Sequence, residues 1–99
     1  AEVRNCYFDL NAVALRFDFE TARSAAGVGV ENCVFRSNTT DFYLRNVEGL
    51  SIESCTSVGP NPPLQSGGGV DWLKVVGNVF QQSVSGPGAN SVVYGNAMP

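Results

Sequence analysis

The chain has no histidine, one lysine, one methionine and one tryptophan in 99 residues. Without histidine it lacks the side chain that most often serves as a general base near neutral pH and as a metal ligand. Its six Lys and Arg are scattered and the formal charge is −3. Nucleic acid is excluded as a partner on that ground, because phosphate binding needs clustered cations. No apolar run approaches the length of a membrane span, no secretion signal opens the sequence, and no membrane partner is expected. The three cysteines, Cys6, Cys33 and Cys55, include no Cys-x-x-Cys and cannot all pair within one chain. Three thiols with no histidine do not make a tetrahedral metal set, so neither a metal nor another cofactor is expected.

About 43% of residues are apolar and 15% charged, a composition that folds and suits a sheet-rich chain. The length allows one domain, residues 1–99, with a modest core. The stretch from Val28 to Phe35, VGVENCVF, has a grammar that returns at Val3–Phe8 (VRNCYF), Leu50–Ser57 (LSIESCTS), Leu73–Phe80 (LKVVGNVF) and Ser91–Met98 (SVVYGNAM). These segments align Cys6, Cys33, Cys55, Asn78 and Asn96 at steps of 27, 22, 23 and 18 residues. Self-similarity near that period marks a solenoid.

Within each segment the alternation has the period of a strand. An Asn-Cys or Gly-Asn pair interrupts it at a fixed place, as a corner in left-handed backbone does. Stacked corners predict a buried ladder of Cys and Asn, with Phe8, Phe35, Phe80 and Met98 re-entering the core and Ser57 as the exception. The cysteines are read as small apolar ladder residues; a bridge between neighbouring coils stays open, because adjacent strands lie near disulfide range.

The run Phe42–Cys55, FYLRNVEGLSIESC, has one strand, a short turn, a second strand and then a ladder cysteine. It resembles a coil of the right-handed parallel β-helix superfamily, which includes pectate lyases, polysaccharide epimerases, and bacteriophage tailspike and tail-fibre proteins. The expected fold is all-β: a right-handed, single-stranded parallel β-helix of about four to five coils. Its first repeat has no covering segment before it, which reads as part of a longer chain or of an assembly.

Strand by strand, Val13, Leu15, Phe17 and Phe19 are expected to point inward, with a helical turn or loop over Thr21–Gly27. In the next coil Phe42 and Leu44 point in, Leu44 is aligned with Leu15, and Arg16 and Arg45 become neighbours. Residues 59–69, GPNPPLQSGGG, are expected to project as a loop with Leu64 dipping back. Ser83–Ser85 reads as a weak strand.

Outward positions supply the candidate sites. Glu31 and Glu53 on adjacent rungs are candidates for a catalytic carboxylate pair, set against cross-rung ion pairs of Arg4 with Glu31 and Glu53 with Lys74. Arg16, Asp18, Asp41, Tyr43 and Arg45 form a second patch, in which Arg offers bidentate recognition of carboxylates and Tyr a stacking face. Arg16, Asp18, Tyr43 and Arg45, with Trp72, are the candidate glycan-binding residues.

The resemblance implies a tailspike or tail-fibre segment on a virion or in the extracellular space, a homotrimer that recognises host surface polysaccharide. Any enzymatic activity is expected to be that of a polysaccharide depolymerase, a glycoside hydrolase or lyase, with Glu31 and Glu53 as the candidates here and residues outside this segment as the alternative. Two alternatives stand beside it: a bacterial polysaccharide lyase, hydrolase or epimerase, and a structural spacer. Lyase chemistry is disfavoured by the missing histidine, the single lysine and the lack of a dense Asp cluster. An apolar stripe of Val76, Val92 and Tyr94 is the expected trimer contact.

Overall fold

A computed structural model describes residues 2–24, 27–82, 84 and 91–96 of the chain. The first turn carries β1 (Glu2–Arg4), β2 (Tyr7–Asp9) and β3 (Val13–Ser24). The second carries β4 (Gly29–Glu31), β5 (Val34–Arg36) and β6 (Thr40–Glu48), and the third β7 (Ser51–Glu53), β8 (Thr56–Val58) and β9 (Leu64–Ser66). Then follow β10 (Lys74–Val76), β11 (Val79–Phe80) and β12 (Val92–Tyr94).

Among the described residues all pairing is parallel, in three sheets: β1-β4-β7-β10-β12, β11-β8-β5-β2 and β3-β6-β9. The molecule is a parallel β-solenoid of about three turns, slightly fewer than the repeats suggest, because among the described residues three turns are completed by a strand in every sheet. The expected strand at Ser83–Ser85 and the inward Met98 involve positions outside the described residues.

The corner between the first and second sheets shows why the sequence folds this way. Asn5, Asn32, Ser54, Gly77 and Gly95 hold φ between 51° and 68°, the left-handed region open to Gly and tolerated by Asn. At Asn5, Asn32, Ser54 and Gly77 that one residue turns the chain between two strands of two or three residues. The next residue, Cys or Asn, points inward and reaches the previous rung: Cys33 Sγ lies 3.5 Å from Val3 O and Cys55 Sγ 3.5 Å from Val30 O. Asn78 Nδ2 donates to Ile52 O at 3.1 Å and Asn96 Nδ2 to Val75 O at 3.0 Å.

Asparagine also works as an acceptor: Asn78 Oδ1 takes the Cys55 N–H at 2.8 Å and Asn96 Oδ1 the Asn78 N–H at 2.9 Å. Cys33, Cys55 and Asn78 are buried, as expected of a ladder. The expectation that all five anchors are buried fails for two: Cys6 is exposed and Asn96 half-buried, and among the described residues each has a neighbouring rung on one side.

The first sheet pairs Val3, Val30, Ile52, Val75 and Val93 in one inward column. The second pairs Phe8, Phe35, Ser57 and Phe80. Phe8 and Phe35 stack at 5.0 Å between ring centroids, and Phe42 of the third sheet tilts against Phe35 at 4.7 Å. Ser57 interrupts the aromatic column, and its hydroxyl donates to the Asp41 carboxylate. Asp41 is therefore buried and takes no part in the outer patch where the sequence put it.

The third sheet departs furthest from expectation. Leu15 pairs with Phe42 and Phe17 with Leu44, so the alignment of Leu15 with Leu44 was two residues out. A register irregularity between Asp18 and Arg23 lets β3 run on to Ser24, so a strand occupies Thr21–Ser24 where a helical turn or loop was expected, and residues 25–26 of that stretch lie outside the described residues. Phe19 lies in that stretch and is exposed. Nor do residues 59–69 project as one loop. Pro63 O accepts the Phe42 N–H at 2.9 Å, and Leu64–Ser66 completes the sheet. Proline is tolerated immediately before a strand because its carbonyl can still accept there while no N–H is needed.

Candidate functional site

On the outer face of the third sheet, Arg16 pairs in register with Tyr43 and Tyr43 with Gln65, while Asp18 pairs with Arg45. Strands of this sheet turn alternate residues outward, which brings the four patch residues together without direct contact between two arginines. The Arg16 guanidinium carbon sits 4.7 Å from the Tyr43 ring centroid, a cation–π arrangement. Asp18 lies between the cations: it accepts from Arg16 Nη1 at 3.3 Å and from Arg45 Nε. The hydrogen bond to Asp18, followed by its charge, holds the Arg45 guanidinium above its ordinary value.

Gly67 is part of the same surface. A Cβ there would lie 2.5 Å from Tyr43 Oη and 3.2 Å from the Arg45 side chain. Only a bare backbone lets the Tyr43 ring and the Arg45 stem lie down beside the third strand. The face thus offers two guanidinium groups, one phenol and one bridging carboxylate on rigid strands.

Trp72 is apart from this cluster, at the corner that leads from the third sheet back to the first, just past the Glu48–Asp71 bridge. It is 60% exposed and holds φ at 54°, at the corner where earlier turns carry Gly27 and Gly49. Its N–H donates to Asp71 Oδ1 at 3.0 Å.

Glu31 and Glu53 face each other in register on the first sheet and line a groove of about 190 Å³ with Glu2, Ser51 and residues Gly27–Gly29. Each already has a cation: Arg4 lies 3.2 Å from Glu31 and Lys74 2.7 Å from Glu53. Both cross-rung pairs read from the sequence are present, and neither carboxylate faces the groove alone. Val76 is half-buried beside Glu53, while the side chains of Val92 and Tyr94, the rest of the expected apolar stripe, lie outside what the structure describes.

Two polar features escaped the sequence reading. Asn38 Oδ1 accepts the Asn11 N–H at 2.8 Å, Asn38 Nδ2 donates to Asp41 at 3.0 Å, and Asn61 Nδ2 donates to Asn38 O at 3.4 Å. This is a second asparagine ladder, at the corner between the second and third sheets. Its first step, 27 residues, equals that of the cysteine ladder, and its second, 23, is one longer than the 22 from Cys33 to Cys55; that near-match was the signal available. Beside it Thr39, Thr40, Asn61, Pro62, Leu64 and Gln65 line a groove of about 300 Å³. No side chain in that groove is charged, so no ionisable pattern in the sequence marks it.

No protein-family model, curated protein or solved structure matches this chain.

Proposed function

We propose that this chain is a β-helix segment of the bacteriophage tailspike or tail-fibre kind, and that it recognises acidic host surface polysaccharide with the outer face of its third sheet. The observation that carries the reading is the Arg16–Tyr43–Arg45 cluster bridged by Asp18 and cleared by Gly67. Guanidinium groups bind carboxylates in a planar, bidentate way, and a phenol stacks against the C–H face of a sugar ring. Held on strands, such groups lose little freedom on binding, which favours affinity. In this reading the chains associate as a homotrimer and act on a virion or at an extracellular surface.

Uronic-acid polysaccharides should bind the wild type, and Gly67→Ala should weaken that binding by displacing Tyr43 and Arg45 while leaving the urea midpoint nearly unchanged. Lack of binding to any acidic glycan would end the proposal. The mass in solution tests the trimer separately.

The ion-paired first sheet favours a second reading, a rigid spacer. That reading expects the same solenoid with no glycan affinity, and Gly67→Ala would then have no functional consequence.

A further inference from the structure

We infer that the groove at the corner of the second and third sheets is a subsite for a neutral sugar residue. The inference rests on the carbohydrate reading above and deepens it: the ligand becomes a heteropolysaccharide in which a neutral unit lies beside an acidic one.

The groove's chemistry is that of a hydroxyl-rich, uncharged ligand. Thr40 Oγ1 donates to Gln65 Oε1 at 3.1 Å, which engages the amide oxygen and leaves Gln65 Nε2 with two donor hydrogens. Asn61 uses Nδ2 on Asn38 O, leaving its Oδ1 as an acceptor. The exposed Thr39 hydroxyl both donates and accepts. Pro62 and Leu64 supply an apolar wall for the C–H face of a ring.

Asp41, next to Thr40 in the chain, is buried and committed to Ser57 and Asn38. No cation lines the groove to compensate a bound uronate, so burying a carboxylate there would cost desolvation without return. At about 300 Å³ the space is at the small end for a ligand site, which suits one ring and not a chain. Gln65 is the register neighbour of Tyr43, so a ring in the groove lies one strand from the Arg–Tyr face. One saccharide chain can then engage both.

The test is a titration of the full chain followed by amide NMR, with glucose, galactose and N-acetylglucosamine as neutral probes and glucuronic acid as the charged one. At least one neutral sugar should shift the amides of Thr39, Asn61 and Gln65 saturably, with weak affinity typical of a single ring, Kd about 1–100 mM. Glucuronic acid should leave those amides in place. Thr39→Val, which keeps the shape and removes the hydroxyl, should weaken the neutral sugar about 5-fold, the worth of one hydrogen bond.

Lack of a saturable shift for any neutral sugar overturns the inference, as does a glucuronic acid response of equal size at the same amides. Failure of the acidic-glycan reading looks different. Acidic oligosaccharides would then leave Tyr43 and Arg45 unmoved while neutral sugars still shift Thr39 and Gln65, and the neutral subsite would stand alone.

Discussion

At Trp72 the backbone adopts φ 54° while the indole is 60% exposed, so little burial offsets the left-handed conformation. For a residue with a Cβ that conformation costs roughly 1–2 kcal/mol, and glycine's extra freedom in the unfolded chain returns about half of it. Trp72→Gly should therefore raise stability by about 0.5 kcal/mol in urea unfolding. If Trp72 contacts glycan, the same variant loses affinity; a variant that is less stable would mean that the indole packs on the protein. Asp41 is the opposite case, a buried group at odds with its charge. Burial, partly offset by hydrogen bonds from Ser57 and Asn38, raises its carboxyl above the ordinary carboxylate value. The folded state then holds its proton more tightly than the unfolded state, so the contribution to stability is full below about pH 3.9 and is lost as pH rises through the raised value. Asparagine fits the site, since its oxygen can accept from Asn38 and its amide can donate to Ser57. Stability of Asp41→Asn relative to the wild type should grow between about pH 4 and neutrality, and a flat difference over that range would refute the burial argument.

The ladder is the element that closes each corner, and its members are not equivalent. Asn78 takes the Cys55 N–H, donates to Ile52 O and is 1% exposed. Asn78→Ala leaves a buried donor and a buried acceptor unmatched, at about 1–3 kcal/mol for each, and should lower the urea midpoint more than any change at the exposed corner residue Ser54. Cys33 and Cys55 do the simpler job of filling space beside a carbonyl. Burial pushes the Cys33 thiol up and the Cys55 thiol to about 11, so little thiolate forms near neutral pH. A thiol reagent should modify Cys6 quickly and the other two only on unfolding; rapid reaction at Cys33 would contradict the ladder. Cys33→Ser should cost about 1–3 kcal/mol, the penalty of a poorly satisfied buried hydroxyl.

Across the whole molecule each turn touches only its neighbours, so stability is close to a sum of turns and the interfaces between them. Phe35 packs on Phe8 from the turn before and on Phe42 within its own turn, and is fully buried. Phe8, on the first rung, is only half-buried. Phe35→Ala should cost about 3–5 kcal/mol and Phe8→Ala markedly less. Equal losses in chemical denaturation would mean that the stack unfolds as one body whose end rung matters as much as its middle.

The first sheet was legible in the sequence down to its register. An interrupted alternation marks a corner, and a corner that recurs with Asn, Ser or Gly before a Cys or Asn allows only one stacking of Val3, Val30, Ile52, Val75 and Val93. The ion pairs of Arg4 and Lys74 followed from that register. The third sheet was not legible in the same way, because a long alternating strand looks the same when slid by two residues. Leu15 can face Leu44 as well as Phe42 by pattern alone. What decides for Phe42 is the neighbouring corner, where Asn11 is tied to Asn38 at the 27-residue step that also sets Arg16 against Tyr43 and Asp18 against Arg45. Tertiary packing likewise turned Asp41 inward to Ser57, where an aromatic column leaves room for a hydroxyl. It also recruited the Pro-rich segment into a strand because Pro63 still offers a carbonyl to Phe42. Local pattern determined where the chain turns; which outward side chains meet was decided by the register that those turns impose on the longest strands.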